Sequence, residues 1–222
     1  LLASSAASDG YKRQAVVGIG LIGGSYVKAL RKLKVKRIIG IDRDEAVLQQ
    51  AAEQGLLDAA LLRGDSTLKE ADVIICALYP DAVESFVKEN AGFFKPDVLL
   101  TDVAGVKGNL PERVQALLKP GMEFISGHPM AGKQSSGFAM SDAAIFQGAN
   151  YIVVPSVHNT KAAISWLEKF AAALGCRNTV RVTPAEHDSI IAYTSNLPHA
   201  AAVALINSQS YNCLLYTSDA AD

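Results

Sequence analysis

The run Ala15-Val16-Val17-Gly18-Ile19-Gly20-Leu21-Ile22-Gly23-Gly24-Ser25 is the most informative in the chain. Its first half is short, apolar and β-branched, the composition of a buried strand. Its second half matches GxGxxG and runs into a helical pattern carried by Leu21, Val27, Leu30 and Leu33. The hexapeptide alone is a weak signal, but between a strand and a helix it reads as a dinucleotide-binding turn. Gly18 permits the tight turn, Gly20 lets a pyrophosphate approach the backbone, and Gly23 lets helix and strand pack closely. The free N–H groups and positive dipole end of the helix, at Leu21 and Ile22, suit phosphates. A second strand, Arg37–Ile41, leads to Asp42, 19 positions after Gly23. Its carboxylate is placed to accept from both ribose hydroxyls and to repel a 2′-phosphate, which favours NAD. Arg43 beside it is placed to pair with such a phosphate, which keeps NADP open. The competing reading is a Gly-rich turn with a surface aspartate.

Beyond this run, apolar strands alternate with helical segments. Strands are expected at Val73–Cys76, Val98–Thr101, Glu123–Ser126, Tyr151–Val154 and Thr179–Val182. Helices are expected at Asp44 to about Gln54 (Asp44 as N-cap), Asp81–Glu89, Asn109–Leu118 and Thr160–Leu174. This alternation predicts an α/β fold, a doubly wound and mostly parallel Rossmann-type sheet covered on both faces. After Pro184 the pattern becomes one long Ala/Ile/Leu-rich helix from Glu186 to about Ser208, interrupted by Pro198. The expected organisation is a non-native tail over 1–14, an NAD(P)-binding domain over 15–183, the first helix of a truncated helical dimerisation domain over 184–210, and a second non-native tail over 211–222. Both ends resemble translated adapter sequence, and a lone helix cannot bury its apolar face.

The 222 residues carry 21 basic and 22 acidic side chains, and half are hydrophobic. These values suit a globular chain and exclude wholesale disorder. The balanced charge gives no reason to expect a nucleic-acid partner. Three dispersed cysteines, Cys76, Cys176 and Cys213, form no CxxC pair, which excludes a disulfide scaffold and a thiolate zinc site and suits the cytoplasm. Four histidines lack metal-ligand spacing, so no metal is expected. No apolar run reaches the roughly 18–20 residues of a membrane span, and no secretion signal is visible.

In such a sheet, ligands bind beyond the carboxyl ends of the strands. Three segments are expected there. Ala77, Leu78, Tyr79 and Pro80 follow one strand and would flank the nicotinamide ribose. Asp102 and Gly105 follow the next. His128, between Gly127 and Pro129, is expected in a stiff turn just past a third. A neutral imidazole there can accept a proton from a hydroxyl as hydride leaves the same carbon. The alternative is a hydrogen-bonded structural histidine. His158 reads as solvated, and His187 as a helix-start residue whose acidic neighbours complement the dipole.

Gly18–Ser25, Asp102-Val103-Ala104-Gly105-Val106-Lys107, Gly127-His128-Pro129-Met130-Ala131-Gly132, Glu186-His187-Asp188 and Leu197-Pro198-His199 occur in this order. Together they resemble the prephenate/arogenate dehydrogenase family over about residues 15–209. The resemblance implies a Rossmann-type domain joined to a helical dimerisation domain. It also implies NAD(P)-dependent oxidative decarboxylation of prephenate to 4-hydroxyphenylpyruvate in tyrosine synthesis, or of arogenate to tyrosine. By resemblance His128 takes the substrate hydroxyl proton and His199 reaches the substrate from the helical domain. Many members carry Ser where Gly105 stands, His where Asn196 stands, and Thr-Glu where Lys133-Gln134 stands. Lys133 is a candidate cation for a substrate carboxylate. The family's carboxylate-binding Arg has no counterpart, because the 41 residues after Arg181 contain no Lys or Arg. The expectation is a chain that binds NAD and turns prephenate over poorly. Two alternatives are another hydroxy-acid dehydrogenase of the same domain type and a non-catalytic NAD-binding module.

Overall fold

The computed structural model describes residues 13–132 and 135–208. Lys133, residues 1–12 of the expected 1–14 tail, the expected tail over 211–222 and Cys213 lie outside the described residues. Eight strands form one sheet: β1 (Arg13–Val17), β2 (Arg37–Ile41), β3 (Ala59–Leu61), β4 (Val73–Cys76), β5 (Leu99–Asp102), β6 (Glu123–Pro129), β7 (Asn150–Val154) and β8 (Asn178–Arg181). Their order is β3-β2-β1-β4-β5-β6-β7-β8. All neighbours are parallel except β6 and β7. The chain therefore reverses its direction across the sheet between β1 and β4, and a crevice opens at the carboxyl ends of those strands.

β1 starts at Arg13, so Arg13 and the buried Gln14 belong to the sheet and not to the expected tail. The strands are buried on both faces, which is why they read as continuous apolar runs. Alternate residues supply two cores. Val16, Ile38, Val73, Ile75 and Ile125 face α1 (Leu21–Lys32), α2 (Glu45–Glu53) and α5 (Lys161–Leu174) through Tyr26, Leu30, Leu48, Trp166 and Phe170. Ala15, Val17, Ile39, Ile74 and Leu100 face α3 (Pro80–Asn90) and α4 (Leu110–Gln115) through Val83, Val87, Leu110 and Val114. Each fully buried aliphatic side chain contributes about 1.5–3 kcal/mol.

Two departures from the sequence reading bear on the site. β6 runs on to Pro129, so His128 lies within a strand, opposite Ile152 of β7, and not in a turn beyond it. The long C-terminal helix is real but has three parts: α6 (Pro184–Ile191), a π turn over Ala192–Asn196, and α7 (Leu197–Asn207). Pro198 has no N–H to give the preceding turn, and the wider π register absorbs that loss. A capping box between Thr183 and Glu186 fixes the start of α6. Its residues His187 and Ile191 are buried, Ile191 against Ile152 and Val154, whereas no residue of α7 is buried. Pro184–Asn207 is long and apolar enough, by length and composition, to cross a membrane. That corrects the expectation that no segment qualifies: scattered Ser, Thr and Asn break the uninterrupted run without lowering the average much.

Candidate active site

The glycine loop forms between β1 and α1. Gly18 has φ +84°, and a Cβ on it would lie 2.5 Å from Ala77 O. A Cβ on Gly23 would lie 1.8 Å from Gly18 O, so helix and loop touch without side chains between them. Gly20 is the N-cap of α1, provides no side-chain cap, and faces open space. The first turn, Leu21 and Ile22 included, holds no acidic residue. Its N–H groups are thus left for an anionic ligand. A dinucleotide's pyrophosphate fits this cradle.

Asp42 stands at the end of β2 and is partly exposed. Its Oδ2 accepts from Ile19 N at 2.6 Å and its Oδ1 from Asp44 N at 2.9 Å. The carboxylate therefore also shapes the loop, a role the sequence reading did not assign. Arg43 is exposed beside it. Across the crevice Ala77 and Leu78 press on Gly18, while the exposed Tyr79 and then Pro80 start α3.

Asp102 does not face the crevice. It is fully buried, and its oxygens accept from Ala104 N, Lys107 Nζ, Ser126 Oγ and Gly127 N. Four donors and full burial give it a structural role in holding the β5 loop, set back from the crevice where the sequence expected it to meet the cofactor. Lys107 folds back over the β5 loop, donating from Nζ to Asp102 Oδ2 and to Gly127 O, each at 2.7 Å. Burial holds its ammonium below the usual lysine range, and the Asp102 carboxylate opposes that shift. This pair ties the β5 loop to the backbone just before His128.

His128 Nδ1 lies 2.9 Å from His187 Nε2, and His187 Nδ1 lies 2.7 Å from Asp188 Oδ1. Asp188 in turn accepts from Lys107 N at 2.8 Å and Gly108 N at 2.7 Å. Burial first, then the Lys107 charge and His187, pushes His128 down to about 4, against the pull of Asp102. The imidazole is therefore neutral at pH 7, as a proton acceptor must be. Gly105 lies beside the other edge of the ring: a Cβ there would be 3.7 Å from Cε1 and 3.8 Å from Nε2. His187, read from sequence as a helix-start residue and quoted there only within Glu186-His187-Asp188, is brought onto His128 by the structure. His158 is exposed in its loop, as expected. His199 is exposed on α7 and makes no hydrogen bond to His128 among the described residues.

Residues 27–180 match the family described as "Prephenate dehydrogenase, nucleotide-binding domain". The chain is 31% identical over 203 residues to a prephenate dehydrogenase of Bacillus subtilis, covering 90% of this chain and 54% of that protein. The crystal structure of prephenate dehydrogenase from Aquifex aeolicus in complex with hydroxyphenyl propionate and NAD+ superposes with a TM-score of 0.81 at 26% identity, covering 90% of this chain and 69% of that one. An arogenate dehydrogenase structure from Synechocystis gives a TM-score of 0.78 at 30% identity over 87% of this chain and 68% of that one. The chain spans about half the length of the curated Bacillus relative. With the glycine loop, the crevice and the His128–His187 pair already in place, the match over 27–180 settles the family: this chain belongs to the prephenate dehydrogenases and carries their nucleotide-binding domain.

Proposed function

We propose that this chain catalyses NAD-dependent oxidative decarboxylation of prephenate. The observation that carries the reading is a neutral, oriented imidazole, His128, at the carboxyl edge of a sheet whose first loop is built for a pyrophosphate. NAD, when bound, supplies the hydride acceptor. The chain's own residues do the rest. The open backbone at Gly20 and the first turn of α1 hold the phosphates, and Asp42 receives the adenosine ribose. Ala77–Pro80 close the crevice on the nicotinamide side. His128 accepts the proton of the ring hydroxyl while the carbon bearing it gives up hydride. The bond to the opposite carboxylate then breaks, carbon dioxide leaves, and its electron pair completes the aromatic ring. No covalent nucleophile is needed; alignment and one base suffice.

Asp42 supports NAD over NADP. Arogenate is the second reading, supported by the Synechocystis likeness. We extend the proposal to a cytoplasmic homodimer formed through the helix after Thr183, in which a second copy covers Leu197, Val203, Leu205 and Ile206, all exposed on α7. His199, Lys133 and the Gly105 backbone are assigned to the substrate side.

The test is NADH formation by this chain with prephenate or arogenate, beside calorimetric titration with NAD and NADP. Expected are NAD binding and slow turnover that His128→Asn abolishes. Turnover no faster than in His128→Asn, with NAD bound, would leave a non-catalytic NAD-binding module.

A further inference from the structure

A base is useful only if its free lone pair points at the substrate. We infer that His187 and Asp188 are positioning residues that fix His128 in the tautomer with its proton on Nδ1, leaving Nε2 as the basic nitrogen beside Gly105. The inference deepens the proposed role of His128 and rests on it only for its kinetic consequence.

The proton order is set from the carboxylate inward. Burial alone would raise Asp188, but hydrogen bonds from His187, Gly108 and Lys107 hold it below the usual carboxylate range. It is ionised and can only accept. His187 Nδ1, 2.7 Å from Oδ1, must therefore be the donor. The His187 ring is fully buried, and burial outweighs the Asp188 contact to keep it neutral. A neutral ring with its proton on Nδ1 has only a lone pair on Nε2. His128 Nδ1, 2.9 Å away, must then donate to it. His128 is neutral as well, so its own Nε2 carries no proton. The titratable groups around this ring are Lys107 and Asp102 from the β5 loop and His187 and Asp188 from α6; β7 opposes it with Ile152.

The relay is anchored at both ends. Asp188 bridges two consecutive backbone N–H groups at Lys107 and Gly108. The capping box at Thr183 sets the first turn of α6, from which both residues project. On the opposite edge of His128, Gly105 offers no side chain. Orientation in this chain therefore comes from the Nδ1 side, through the segment after Thr183.

The test is long-range proton–nitrogen NMR on histidine-labelled protein between pH 5 and 8. Four histidines make assignment by single substitution practical. In the unaltered chain His128 and His187 are both expected with protonated Nδ1 and bare Nε2. His187→Phe removes the acceptor and should move the His128 proton largely to Nε2. His187→Gln supplies a carbonyl acceptor and should keep it on Nδ1. A proton on Nε2 of His128 in the unaltered chain, or an unchanged His128 signal in His187→Phe, overturns the inference. In the NADH assay, His187→Phe should lower kcat by roughly 10²–10⁴-fold, the range for general-base catalysis. KM for NAD should change less than two-fold, and His187→Gln should recover most of the rate. Absence of turnover in the unaltered chain would count against the proposed function, while the NMR signal alone decides the tautomer.

Discussion

Lys107 Nζ lies 2.7 Å from Asp102 Oδ2, and neither side chain has any exposure to solvent. A buried ion pair is worth little against an apolar isostere, but removing one member strands the other. Lys107 also holds Gly127 O, so the pair couples the β5 loop to the strand bearing His128. Lys107→Met should lower unfolding free energy by about 3–5 kcal/mol, read from urea denaturation at pH 7. Adding Asp102→Ala to that variant should cost less than the two changes measured separately, because the second removes a charge already unpaired.

His128 gives a pH dependence of definite sign. Its folded value of about 4 lies below the ordinary value near 6.5. Between the two, the unfolded chain binds a proton that the folded chain refuses, so stability falls as pH drops from about 6.5 to 4. The full loss is about 3 kcal/mol at 1.36 kcal/mol per unit. Urea midpoints at pH 7 and pH 5 should show this loss, and His128→Asn should remove roughly 2 kcal/mol of it over that interval. Equal losses in both proteins would mean that the imidazole takes up its proton without hindrance.

Gly105 has room for a side chain. A Cβ there would meet His128 only at ordinary contact distances of 3.7–3.8 Å. Gly105→Ser should leave stability within about 0.5 kcal/mol, as for surface changes generally. It brings a hydroxyl within reach of Nε2, so it should raise prephenate turnover several-fold in the NADH assay without changing NAD affinity.

The strands and the first loop were legible because their information is local: period, β-branching and glycine spacing all sit within a dozen residues. β3 escaped notice because Ala59–Leu61 is three residues long and only half-buried. The end of β6 was misplaced because Gly and Pro flank His128, and pairing with β7 overrides their turn preference. Asp102 looked like a crevice residue by position, and only the return of Lys107 over it shows otherwise. His187 was read against its sequence neighbours, whereas its decisive partner lies 59 positions away. What failed was long-range pairing between elements, which no local pattern encodes.

The three loop glycines should separate folding from binding. Gly23→Ala would place a Cβ 1.8 Å from Gly18 O, a backbone atom that cannot yield. That variant should lose both NAD binding and several kcal/mol of stability, as overpacking against backbone does. Gly20→Ala meets nothing within 4 Å and should lower stability only by the roughly 0.5–1 kcal/mol of a poorer N-cap. Yet its methyl would stand where the pyrophosphate must approach the start of α1. Calorimetric titration should show NAD affinity reduced at least ten-fold in Gly20→Ala, or about 1.4 kcal/mol. Unimpaired NAD binding by that variant would mean the phosphates do not pass over Gly20, and the nucleotide would have to lie elsewhere along the crevice.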